Sequence, residues 1–168
     1  MEIYRGRRLW IESTTITMPG GRTRDKVIVH PSSAVAILPI DGDRCKLLRQ
    51  FRYAIGKTIV EAPAGTMEEN ESPEETARRE LIEETGFAAG TMISRGFIYT
   101  TPGFTDEKLY LFEARDLSPS SEYSKDEDEM IEVFEAPLAG LDEMIRDGTI
   151  VDAKTICLIH LCRECRDV

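Results

Sequence analysis

The stretch GTMEENESPEETARRELIEETGF, from Gly65 to Phe87, constrains this chain more than any other. It reads as a loop feeding a short helix. Ser72 can cap the helix, Pro73 suits its first position, and Glu75 completes a capping box. Gly86 is a natural stop. Ala77 and Leu81 lie one turn apart and form an apolar stripe. The acidic residues conflict with this pattern. Glu80 and Glu84 are four apart and Glu83 is three from Glu80, so all three share one arc. Like charges at that spacing cost an isolated helix roughly 0.2–0.5 kcal/mol per pair. Glu83 and Glu84 also sit in the last turn, where the helix dipole disfavours anions. Two local rules broken at one place suggest a site. The natural compensation is a hard divalent cation, which takes oxygen ligands and shares them with phosphates.

The simpler alternative is a solvated acidic helix, with Arg78 and Arg79 as ion-pair partners. Against it stands the spacing. Gly65, Glu71, Arg79, Glu80, Leu81, Glu83, Glu84, Gly86 and Phe87 fill the Nudix box without a mismatch. The stretch therefore resembles the Nudix hydrolase superfamily, and the resemblance implies a site that hydrolyses diphosphates.

Charge and length agree. With 168 residues the chain is long enough for one domain with a sizeable core, and residues 1–168 are read as one. A net charge of −10 argues against a general nucleic-acid binder and suits a protein that gathers cations. No apolar run is long enough to span a membrane, and MEIYRGRRLW lacks the apolar core of a signal peptide. Cys45, Cys157, Cys162 and Cys165 make no secreted disulfide pattern, so a reducing, cytoplasmic setting is expected. Cys162 and Cys165 have C-x-x-C spacing. A second ligand pair is missing, so TICLIHLCREC reads instead as an amphipathic helix with Cys157, Leu158 and Leu161 inward.

Along the chain, LWIESTTITM and RDKVIVH flank the turn Pro19-Gly20-Gly21 and read as a hairpin. It is locally basic, with Arg5, Arg7, Arg8, Arg22, Arg24 and Lys26. Solubility explains this as well as contact with an anionic ligand or an acidic partner. SAVAILPI is a buried strand by its continuous apolar run. CKLLRQFRY is its partner across Asp41-Gly42-Asp43. Arg52, just before the loop AIGKT, could reach a ligand. Pro63 and Gly65 interrupt IVEAPAG, and a freed Ala64 carbonyl could serve a metal. Beyond the box, TMISRGFIYTT, KLYLFEARDL and IEVFEAPL read as strands. SPSSEYSKDEDEM reads as a polar loop, either functional or merely solvated. LAGLDEMIRDG and VDAKTICLIHLCREC read as closing helices. The expected fold is α+β with a mixed sheet. The resemblance implies the Nudix α/β/α sandwich with an added N-terminal hairpin.

The flanks resemble the ADP-ribose pyrophosphatase branch. LLRQFRYAIGKTIVEAPAG looks like the segment before the box in these enzymes, and TPGFTDE like the loop after it. Pro102 stands fifteen residues beyond Phe87, where this branch typically has proline. The resemblance implies Mg²⁺, or Mn²⁺, on Glu80 and Glu84, with Glu83 and the Ala64 carbonyl close by. It implies a catalytic base in DEDEMIEV, at Glu127 or two residues on at Glu129. Arg52 would contact the diphosphate, and Arg79 would orient a box glutamate. Pro102, Gly103 and Phe104 would lie against substrate. Lys26 sits where relatives carry a basic residue reaching a partner subunit's site, but lysine lacks the guanidinium fork. Tyr4, Trp10 and Phe104 are the candidates to stack on adenine. The implied assembly is a homodimer joined through residues 1–31. The implied reaction is hydrolysis of ADP-ribose to AMP and ribose 5-phosphate. The alternatives are a Nudix hydrolase for NADH, a sugar nucleotide or a nucleoside triphosphate, a Nudix-fold binding module, and an acidic Ca²⁺-binding scaffold.

Overall fold

The computed structural model describes residues 1–123 and 131–164. The chain starts with a three-stranded antiparallel sheet of β1 (Glu2–Arg5), β2 (Leu9–Thr17) and β3 (Thr23–Pro31). The β2–β3 hairpin is the one expected. β1 is an addition: EIYR is short and exposed throughout, so it carries no periodic signal.

The central sheet is built around β4 (Ala34–Asp41), whose apolar run is buried on both faces. β4 runs parallel to β9 (Lys108–Pro119), with Ala34 opposite Leu109. β8 (Phe87–Tyr99) forms the edge beyond β9. It starts directly after the box, earlier than TMISRG indicates, because FAAG lacks the alternation that marks a strand. On its other side β4 pairs with β5 (Arg44–Arg52) at one end and with β7 (Ala64–Thr66) at the other. β5 also pairs with β6 (Lys57–Glu61) and β10 (Ile131–Pro137). The sheet is therefore mixed, as expected.

Helices cover both faces. Val35 and Ile37 pack with Phe112 and Ala114 against Ala77 and Leu81 of α1 (Pro73–Thr85). Ala36, Leu38 and Ile40 face the other way. They meet α2 (Leu141–Arg146) and α3 (Ala153–Glu164) through Leu141, Leu158 and Ile159. This is an α/β/α sandwich. The buried line on α3 includes Thr155, Leu158, Ile159 and Cys162, with Cys157 and Leu161 only partly buried. All three residues expected to face inward pack on the core, Leu158 fully and Cys157 and Leu161 at its margin. No helix among the described residues is long and apolar enough to cross a membrane.

α1 has the ends its sequence calls for. The Ser72 hydroxyl accepts from the Glu75 amide, and the Glu75 carboxylate accepts from the Ser72 amide at 2.8 Å. Gly86 closes the helix with a left-handed φ of 75°, a conformation that costs glycine nothing. Leu81 is 0% exposed at the seam with the sheet. Leu81→Ala should cost about 2–5 kcal/mol in urea unfolding, since the packed seam cannot close over the cavity.

Candidate active site

The site begins with an arginine. Arg79, on α1, reaches back to the loop before its own helix. Its Nε and Nη2 donate to the two Glu71 oxygens at 2.9 and 3.0 Å. Its Nη1 donates to Glu80 and to Glu83, each at 2.8 Å. One guanidinium thus gathers three carboxylates, which offsets the repulsion along that arc. Arg79 is thus bonded to two of the box glutamates that the resemblance has it orient. The Arg79 bonds hold the Glu71 carboxyl down at about 2, against the opposing effect of burial, with help from the Thr76 hydroxyl. The carboxylates in turn raise the Arg79 pKa, Glu71 foremost, against the opposing effect of burial.

Glu84 is 3% exposed. Its Oε2 accepts the Ala64 amide at 2.8 Å, tying α1 to β7. Gly65 follows at once. A Cβ there would fall inside the Glu80 carboxylate, so the box needs a residue without one. Ala64 is not a loose end: it opens β7 opposite Ala36, next to Pro63, whose carbonyl accepts from the Ile37 amide at 2.8 Å.

These groups line a cleft of about 820 Å³, a size suited to a mid-sized ligand. Its walls bring together Ala64, Arg79, Glu80, Glu83 and Glu84 with Arg52 from the end of β5. All six were expected at the site. Arg7, Arg8 and Ser32, which nothing in the sequence marks individually, line the cleft as well. The N-terminal run of basic residues was the available signal, and only these two of its members line the cleft. The neighbouring Arg5 is instead paired with Glu2.

Other expected residues lie elsewhere. Lys26 is exposed on β3 opposite Thr14, away from the cleft walls. Pro102, Gly103 and Phe104 belong to an exposed turn that docks on β3, where the Phe104 carbonyl accepts the Val29 amide at 2.9 Å. None of the three aromatic candidates lines the cleft. Trp10 is stacked on His30 with ring centroids 3.8 Å apart, and His30 in turn bonds Asp106 at 2.7 Å. Tyr4 and Phe104 are half-exposed. Glu127 and Glu129 lie outside the described residues.

The box sets the carboxylates of Glu68, Glu69, Glu80, Glu83 and Glu84 around the cleft, and such oxygen donors suit a hard cation rather than a soft one. Among the described residues no three acidic, histidine or cysteine groups are already arranged as a metal cage. The Arg79 guanidinium occupies the middle of the acidic arc instead. Cys162 is buried beside Glu113, and burial together with that carboxylate pushes its thiol up to about 12. That environment disfavours the thiolate a metal needs.

The model of the NUDIX domain matches residues 30–158. The chain belongs to the Nudix family. It is 38% identical over 161 residues to the ADP-ribose pyrophosphatase of Bacillus subtilis, covering 95% of this chain and 87% of that one. It is 34% identical over the same length to the methanol dehydrogenase activator of Bacillus methanolicus, with the same shares of each chain covered. It is 40% identical over 122 residues to the GDP-mannose pyrophosphatase of Cronobacter sakazakii, covering 68% of this chain and 63% of that one. A crystal structure of an ADP compounds hydrolase superposes with a TM-score of 0.89 at 28% identity, covering 98% of this chain and 89% of that one.

The Glu71 shift predicts a pH dependence. Its folded pKa, about 2, lies below its ordinary value of 4.5. The stability it contributes is fully present above pH 4.5 and is lost as pH falls toward 2. The gap in urea midpoint between wild type and Glu71→Gln should therefore shrink over that window. A gap of constant size from pH 6 to pH 2 would remove Arg79–Glu71 as its cause.

Proposed function

We propose that this Nudix hydrolase cleaves the diphosphate bond of ADP-ribose, giving AMP and ribose 5-phosphate. The observation that carries this reading is the cleft itself. It gathers the box carboxylates together with Arg52, Arg7 and Arg8. A diphosphate needs both. Its charge must be met by cations, and the attacking water must be made acidic. The kinship with an ADP-ribose pyrophosphatase over nearly the whole chain supports the choice of substrate.

Glu80 and Glu84 would hold the divalent cation, Mg²⁺ by preference and Mn²⁺ as a substitute, with Glu83 and the Ala64 carbonyl as further oxygen donors. The bound cation supplies charge neutralisation at the phosphates and a lowered pKa for a bound water. Arg79 keeps Glu80 and Glu83 aligned. Arg52 takes a phosphate oxygen through the Nη1 end of its guanidinium, since Glu61 holds Nε and Nη2. Glu127 accepts the water's proton, with Glu129 as the alternative. The water oxygen joins one phosphorus, the bridging oxygen leaves with the other, and the proton goes to the base. The protein works as a homodimer: the N-terminal sheet exposes Ile3, Tyr4 and Val27, an apolar surface suited to a second copy. A cytoplasmic location fits the thiol count.

A second reading rests on the GDP-mannose pyrophosphatase relatives: a sugar nucleotide as substrate. A panel with Mg²⁺ decides between them. ADP-ribose should give a kcat/KM well above GDP-mannose, NADH and dGTP, with AMP as a product. A higher value for GDP-mannose would move the substrate to the sugar nucleotides. Glu84→Gln should cost orders of magnitude in kcat with the fold intact. Glu127→Gln should cost about 10²–10⁴-fold, the usual share of a general base. If only Glu129→Gln does so, the base lies two residues on. A sedimentation mass near 19.0 kDa at micromolar concentration would rule out the dimer.

A further inference from the structure

Beneath the Arg52 wall of the cleft lies a chain of charges that the box does not include. Arg52 reaches back along the β5–β6 hairpin and grips Glu61 with two bonds of 2.7 Å each. Glu61 is 1% exposed. A carboxylate so deeply buried is costly unless it is fully paired. The second partner comes from 93 residues away: the Lys154 ammonium, in the first turn of α3, also bonds Glu61. Lys154 is held in place by Asp152, whose Oδ2 lies 3.0 Å from its Nζ and also accepts from the Thr155 amide and hydroxyl. The Thr155 hydroxyl accepts the Ala62 amide at 2.7 Å. The start of α3 therefore grips Glu61 and Ala62, just before Ala64 and Glu84 meet.

The protonation preferences agree with this geometry. Burial opposes ionisation of Glu61, yet Arg52 and Lys154 together hold its pKa below the ordinary value. The bond to Glu61 foremost raises Arg52, burial opposes, and the field of Glu84 adds to the rise. Arg52 thus stands between the buried carboxylate and the box.

We propose that Lys154 is a positioning residue for the diphosphate: through Glu61 it sets the Arg52 guanidinium toward the cleft. This rests on Arg52 taking a phosphate oxygen, as argued above. Two cations and two anions make Arg52, Glu61, Lys154 and Asp152 neutral as a set. Without Lys154 the set carries one net negative charge beneath an anion site. Glu61 would then have Arg52 as its sole partner, drawing the guanidinium inward. Both changes weaken the binding of a diphosphate, and neither touches the reacting atoms.

The test is a double-mutant cycle with conservative rescue. Steady-state constants for ADP-ribose with Mg²⁺ are measured on wild type, Lys154→Met, Lys154→Arg, Arg52→Ala and the double variant Arg52→Ala/Lys154→Met. Lys154→Met should raise KM about tenfold with kcat changed less than about twofold, an effect on binding rather than chemistry. Lys154→Arg should restore KM. In the Arg52→Ala background, Lys154→Met should add nothing further. Independent, multiplicative effects in the double variant would overturn the proposal. So would an unchanged KM accompanied by a lower Tm. If Lys154→Met does not fold, Lys154→Gln carries the same comparison. If wild type leaves ADP-ribose intact, the substrate reading fails on its own. The same ratios are then read from the calorimetric Kd of ADP, and equal values across the series overturn the proposal.

Discussion

One guanidinium makes the acidic face of α1 tenable. Glu80, Glu83 and Glu84 share an arc that a free helix would resist, and the first two are held by Arg79, which also draws Glu71 in from the preceding loop. The loop and the helix are thereby joined into one unit. Gly65 can then pass beneath Glu80, where any side chain would collide, and Ala64 can meet Glu84. The geometry of the cleft follows from this arrangement. Carboxylates gathered by a cation instead of spread by repulsion present their oxygens to one volume.

What could be read in advance depended on how local each determinant is. The α1 capping box and its Gly86 stop rest on neighbours within one turn, and every part of them is present. β4 was legible because six consecutive residues, Val35 to Ile40, are apolar and the strand is buried on both faces. The acidic arc was legible because it violates helix rules at recognisable spacing. Aromatic stacking on the base was not, since Trp10 is engaged with His30 and no aromatic side chain among the described residues lines the cleft. An aromatic residue in a sequence does not announce which ring it will face.

The determinants that act over long separations stayed hidden. Apolar residues alone suggest Cys157, Leu158 and Leu161 as the inner line of α3. These three do pack on the core, but the most deeply buried line also takes in Thr155, Ile159 and Cys162, and Lys154 and Thr155 fasten the helix to Glu61 and Ala62. No spacing rule relates residues so far apart. The two N-terminal arginines are an intermediate case. Their charge was visible, but six basic residues share that region, and only folding selects Arg7 and Arg8 for the cleft.

The parallel pairing of β4 with β9 has a consequence for how such a protein comes into being. β7, the loop after it and α1, which carry most of the cleft, all lie in the crossover between those two strands. On a ribosome the acidic loop and helix emerge well before β9 does, so the central strand waits with one edge open. α3, which fastens Glu61 from behind, emerges last among the described elements. The catalytic apparatus therefore cannot mature in the order in which it is made. Parallel pairing over a long crossover is slow to form, and until β9 arrives the nascent chain exposes an apolar strand edge of the kind that chaperones shield.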